Sequence, residues 1–171
     1  MNNFIEIKPE ELNNSPFKMI GSDWMLVTAE KDSKINTMTA SWGGLGVMWN
    51  KDVSFIVIRP TRYTKEFIDN SDRFSLAFFN NSFKKQLTYL GTVSGRSEDK
   101  VSKSGLTTEH FNGTPYFSEA DTVIICKKLY SQKFGSEFFI ENSLDEVNYP
   151  NKDYHTLYIS EVENIFVKKD K

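Results

Sequence analysis

No apolar run in this chain is long enough to dominate the fold by itself. Phe55-Ile56-Val57-Ile58 is typical, four aromatic and β-branched residues with Pro60 shortly after. A run of that length cannot span a bilayer and is too short for an amphipathic helix, but it suits a buried strand. Residues 53–59 are therefore expected as a central strand. Residues 24–29 make another, closed by the polar turn Glu30-Lys31-Asp32-Ser33-Lys34. Residues 35–42 return as its partner, with Ile35, Thr37, Thr39 and Ser41 on one face and Met38, Ala40 and Trp42 on the other. Further strands are expected over residues 74–79, 121–130 and 154–168.

Helical spacing is confined to two places. Thr61 is placed to cap a helix in which Tyr63 and Phe67, and Thr64 and Ile68, repeat four apart. Phe83, Leu87 and Leu90 share one side of a second helix, and residues 91–103 read as a loop or a broken helix. Strands with short helices inserted between consecutive ones argue for a mainly β domain, a closed or half-closed barrel, and not a βαβ sandwich. With 171 residues the chain is expected to form a single domain over residues 1–171, with an N-terminal arm at 1–14 and a charged tail at 166–171.

Charge and cysteine content narrow the function classes. A net charge of −2 with scattered Lys and Arg leaves no basic face for nucleic acid. A lone Cys126 makes no internal disulfide, and with two histidines builds no ordinary zinc site; it is read as a buried, inert thiol. His110 and His155 are read as surface or internally satisfied histidines. Residues 1–12 carry three glutamates and no apolar stretch, so no signal peptide or membrane segment is expected, and the default compartment is the cytoplasm.

Two segments point to a ligand. Asn36-Thr37-Met38-Thr39-Ala40-Ser41-Trp42-Gly43 is small, hydroxyl-rich and Gly-terminated. Extended backbone with small side chains allows a flat ring to approach closely, and Trp42 offers an apolar neighbour. Read alone, the segment equally fits an edge strand whose hydroxyls face water. Arg59-Pro60-Thr61-Arg62-Tyr63-Thr64 places two guanidiniums and several hydroxyls at a helix start, which favours an anion such as phosphate. Its plain alternative is a capped surface helix with a solvated Arg. A third segment, residues 91–100, is a Gly-bracketed polar loop carrying Arg96 and Lys100. It suits closing over a polar ligand, or simply an exposed loop.

Taken in order, Trp24-Met25-Leu26-Val27-Thr28-Ala29, the 36–43 segment, the 59–64 segment and the later Ser94-Gly95-Arg96 with Asp99-Lys100 resemble the flavin reductase-like family of FMN-binding split barrels, nearest the flavoredoxin-type branch. The resemblance covers roughly residues 15–165 and is weakest over 111–151. It implies an FMN-binding split β-barrel acting as a homodimer, with each flavin near the subunit interface. It implies that Thr37, Met38, Thr39, Ala40, Ser41 and Trp42 hold ring and ribityl. Arg59, Arg62, Tyr63 and Thr64 would hold the phosphate, and Ser94, Arg96 and Lys100 would close the rim. Members either reduce flavin with a nicotinamide nucleotide, NADH or NADPH, or pass electrons through bound FMN to a partner. A non-redox binding module on the same barrel is the remaining alternative. Hydride transfer to flavin needs no side-chain acid or base, so no catalytic residue is expected.

Overall fold

The computed structural model describes residue 1 and residues 3–169. Ten strands are present among them: β1 (Phe4–Ile7), β2 (Met25–Lys31), β3 (Lys34–Ala40), β4 (Gly43–Met48), β5 (Lys51–Ile58), β6 (Arg73–Phe78), β7 (Thr108–Phe111), β8 (Thr114–Phe117), β9 (Thr122–Lys133) and β10 (Thr156–Lys168). Four short α-helices lie between them: α1 (Thr64–Asn70), α2 (Lys84–Thr92), α3 (Lys100–Lys103) and α4 (Asn142–Asn148). Three hairpins, β2–β3, β4–β5 and β7–β8, turn on two residues each. In all three both turn residues take positive φ, namely Asp32-Ser33, Trp49-Asn50 and Asn112-Gly113. That geometry matches the twist of the flanking strands and fixes their register.

The main sheet runs β3-β2-β6-β9-β10-β5-β4, antiparallel throughout, with β1 added alongside β10. Its two end strands, β3 and β4, follow one another in the chain yet do not pair. The sheet curls so that Met38 of β3 and Ile56 and Ile58 of β5 share one core with Met25, Val27, Leu76, Ile124 and Tyr158. The result is a half-closed barrel with an open seam between β3 and β4. Strands β2 and β6 and the first half of β9, residues 122–126, are buried on both faces. Val27, Leu76 and Ile124 point into the barrel, while Leu26, Ala77 and Val123 face a second core. That second core is closed by Leu87 and Leu90 of α2 and by Tyr116 and Phe117 of β8. Double burial is why these strands read as continuous apolar runs and not as alternating ones.

Three boundaries differ from expectation. The N-terminal arm carries β1, whose Phe4 is buried in the second core. One buried Phe contributes about 1.5–3 kcal/mol, enough to keep a four-residue edge strand docked. The charged tail begins later than expected, because residues 166–168 complete β10 and Phe166 is buried. Residues 170–171 of that tail lie outside the described residues. The first helix starts at Thr64, and no side chain caps it, so Thr61 is not its cap. Pro60 ends β5, and Arg62 N–H donates to the Arg59 carbonyl in a turn that delays the helix by two residues, leaving Tyr63 at the cap position.

Candidate functional site

The seam opens into a cleft of about 260 Å³ lined by Met38, Thr39, Ala40, Ser41, Trp42, Val57, Arg59, Arg62 and His155. The sequence segments thus meet in space although fifteen or more residues separate them. Strand β3 pairs only with β2, so the opposite edge of its backbone faces the seam. Met38 and Ala40 turn toward the barrel core, and the Thr39 hydroxyl donates to the Leu87 carbonyl of α2. Gly43 sets the crossing from β3 to β4. Its φ is +155°, and a Cβ there would lie 2.4 Å from the Phe55 carbonyl oxygen. Only glycine lets the backbone pass β5 this closely, and the crossing holds Trp42, 47% exposed, at the cleft mouth.

The two arginines differ in what they are free to do. Arg59 donates to Asp153 at 2.7 Å and to the Asn148 carbonyl at 2.8 Å, and lies over the Tyr149 ring. It is occupied in fastening the end of α4 to the barrel. The Arg62 side chain is exposed and, among the described residues, makes one hydrogen bond, 3.0 Å to the Gly91 carbonyl. Of the pair, Arg62 has donors to offer an anion.

Other residues named from the sequence sit elsewhere. Thr37 is fully buried, sharing a hydrogen bond with Thr28 and donating to the Val27 carbonyl. Thr64 is buried and accepts from the Asn36 amide at 2.9 Å. Tyr63 and Lys100 line a separate cavity of about 440 Å³ with Asn36, Gly95 and Asp99. Ser94 accepts from the Arg96 backbone N–H, while the Arg96 guanidinium lies over Tyr63 and pairs with Glu66. Gly95 fits there because a Cβ would stand 2.3 Å from Asn36 Oδ1. Lys100 is buried and donates to the Leu90 and Val93 carbonyls at the end of α2. Burial, then the Arg62 charge, bring its ammonium down to about 8. Gly91, Gly95 and Lys100 therefore pack behind β3 and the end of α2, while Thr92, Ser94, Arg96, Ser97 and Asp99 stay exposed. Cys126 is buried, and burial pushes its thiol up to about 12.

Val57 and His155 are the cleft residues that motif reading missed. His155 is 8% exposed, shares a hydrogen bond through Nδ1 with the Tyr149 hydroxyl at 2.8 Å, and packs 5.3 Å from the Trp42 ring. Burial, then the Arg59 charge, depress it to about 4, so it is neutral at physiological pH. The sequence held only one signal for it, an Asp two residues ahead of a His before a strand. The linkage is testable. Below its ordinary value of 6.5 the unfolded chain takes up a proton that the folded chain refuses until about 4. Stability is therefore present above that window and lost as pH falls through it. Between pH 7 and pH 5 the wild type should lose about 2 kcal/mol more than His155→Gln in denaturant titrations. Equal slopes for the two proteins would remove the assignment.

An antiparallel half-closed barrel with a basic, small-residue cleft at its seam defines the class. The chain belongs to the family described as the flavin reductase like domain, whose model matches residues 17–171. No curated protein matches it. Among solved structures, an FMN-binding domain of a flavin reductase-like enzyme from Shewanella baltica OS155 superposes with a TM-score of 0.71 at 16% identity, covering 97% of this chain and 78% of that one. Flavoredoxin from Desulfovibrio vulgaris (Miyazaki F) gives 0.68 at 22% identity, over 95% and 78%. Flavoredoxin from Methanosarcina acetivorans gives 0.68 at 20%, over 96% and 75%. At these identities the likeness establishes the fold, a split barrel shared with FMN-binding proteins. Among the described residues no helix is long and apolar enough to cross a membrane.

Proposed function

We propose that this chain is an FMN-dependent oxidoreductase of the flavin reductase kind, holding FMN in the seam cleft and taking electrons from NADH or NADPH. One observation carries the reading: a free strand edge with Thr39, Ala40 and Ser41, a flat Trp42 and an available Arg62 border the same cleft. That donor set fits the group. An isoalloxazine edge carries N and O atoms that in-plane backbone N–H and C=O groups satisfy, and a phosphate suits a guanidinium. Bound there, FMN supplies the two-electron chemistry. The chain's own residues hold and shield. The β3 edge at Thr39 and Ser41 orients the ring, Trp42 and Val57 exclude water beside it, and Arg62 anchors the phosphate. Neutral His155, fixed through Nδ1, adds no positive charge to a wall that already holds Arg59 and Arg62. No residue is assigned a catalytic proton.

A cleft of about 260 Å³ lies below the ~300–1,000 Å³ usual for ligand pockets, and it opens beside exposed Trp42. This supports a homodimer in which a second copy completes the site. A lone buried Cys126 agrees with a reducing cytoplasm. The test is anaerobic rapid mixing of FMN-loaded protein with NADH and then NADPH, following flavin bleaching, alongside analytical ultracentrifugation. Fast bleaching with one nucleotide and a dimer mass are expected. Flavin that stays oxidised with both makes the protein an electron carrier, and a colourless protein that FMN does not stabilise makes it a binding module.

A further inference from the structure

Beside the seam cleft lies a second, apolar cavity of about 370 Å³. Phe134, Phe138, Phe139 and Leu157 form its walls, with Gln132 and Lys133 at its margin. It falls in the part of the chain with least family pattern, between the end of β9 and α4. Two joints connect it to the cleft. Leu157 of β10 stands directly opposite Val57 of β5, and cross-strand partners share a face; Val57 lines the cleft and Leu157 the cavity. Phe134 N–H donates to the His155 carbonyl at 2.9 Å, again with one partner in each space. An unbroken series of ring contacts runs from Phe134 to Phe139, Tyr149, His155 and Trp42, at 6.5, 5.7, 5.5 and 5.3 Å.

The lining selects a ligand class. Rings prefer edge and offset contacts with other rings, and three phenylalanines around one space offer them. A volume of about 370 Å³ is at the small end for ligand pockets and suits one or two fused rings. The margin supplies hydrogen-bond donors. Gln132 Oε1 accepts from the Tyr130 hydroxyl at 2.6 Å, which leaves its amide NH₂ to donate, and Lys133 adds a cation. Phe138 is 69% exposed, a cost in water that a bound ring would relieve.

We infer that this cavity is a binding site for a small aromatic molecule carrying one acidic or acceptor substituent, seated next to the cleft and separate from it. The inference leans on the proposed function only in naming the neighbour as a flavin site; occupancy of the cavity is measured without flavin. The probe is 2-naphthoate, titrated calorimetrically into the full chain with and without saturating FMN. Binding is expected in both cases, weakened about tenfold or more by Phe138→Glu and kept by Phe138→Tyr. Phe138 is exposed enough that both variants should fold, which thermal melts check. Naphthoate displaced by FMN would put the probe in the cleft and overturn the inference. Equal binding to Phe138→Glu would do the same. So would failure to bind at millimolar probe, or binding that disappears as the chain dimerises, which would give the cavity to a second copy. If FMN itself does not bind, the naphthoate result stands unchanged and only the neighbour's identity is lost.

Discussion

Gly43→Ala is expected to destabilise the chain by about 3 kcal/mol or more, an unusually large effect for adding one methyl group. The added Cβ would stand 2.4 Å from a backbone oxygen, that of Phe55, and 3.3 Å from the Met25 side-chain methyl. Met25 is a flexible chain and can give way. The Phe55 carbonyl cannot, because its strand lies between β10 and β4 in the ladder. Relief therefore requires the β3–β4 crossing to lift off β5. Trp42 and Ser41 would move with it, so flavin affinity should fall together with stability. Gly44→Ala is the control. Its added Cβ would meet only the Phe55 ring at 3.7 Å, an ordinary contact, so its unfolding midpoint should stay close to wild type. Chemical denaturation of the two variants decides the matter. Similar midpoints would show that the crossing is looser than its geometry implies.

The fold was legible where burial leaves a period or a turn leaves a signature. The apolar runs of β2, β5, β6 and β9 are written in residue type, whereas the β7–β8 hairpin was passed over although Asn112-Gly113 carries its turn signature. Strand β4 was not legible, because Gly43, Gly44 and Gly46 carry no side chains from which to read alternation. Nor was β1, whose single buried Phe4 gives no pattern. The site was legible in part for a similar reason. Small hydroxylated residues beside a Gly mark a backbone that something can approach, and they line the cleft. What residue type cannot record is which hydroxyl is spent inside the fold. Thr37 and Thr64 look like ligand donors in sequence and are buried partners of Thr28 and Asn36. Arg59 looks like a phosphate anchor and is committed to Asp153 and Asn148, some ninety residues away. His155 joins the cleft only because β10 returns beside β5, a pairing that no local pattern announces.

That difference between the arginines yields the second large effect. Arg62→Ala should weaken FMN binding about ten- to a hundredfold, the equivalent of one charge-assisted contact of roughly 1.5–3 kcal/mol, and leave thermal stability nearly unchanged. Among the described residues the one hydrogen bond of its side chain is the exposed one to the Gly91 carbonyl, which water can replace. Arg59→Ala should do the reverse, lowering the melting temperature by about 5 °C, because the Asp153 carboxylate and the Asn148 carbonyl lose their donor together. Any loss of FMN affinity in that variant would arise through Tyr149 and His155, which Arg59 holds in place, and should be the smaller of the two. Fluorescence titration of FMN and a melting curve for each variant separate the roles. Should Arg59→Ala lose flavin more steeply than Arg62→Ala while melting like wild type, the phosphate lies on Arg59, and its bond to Asp153 must open when the ligand enters.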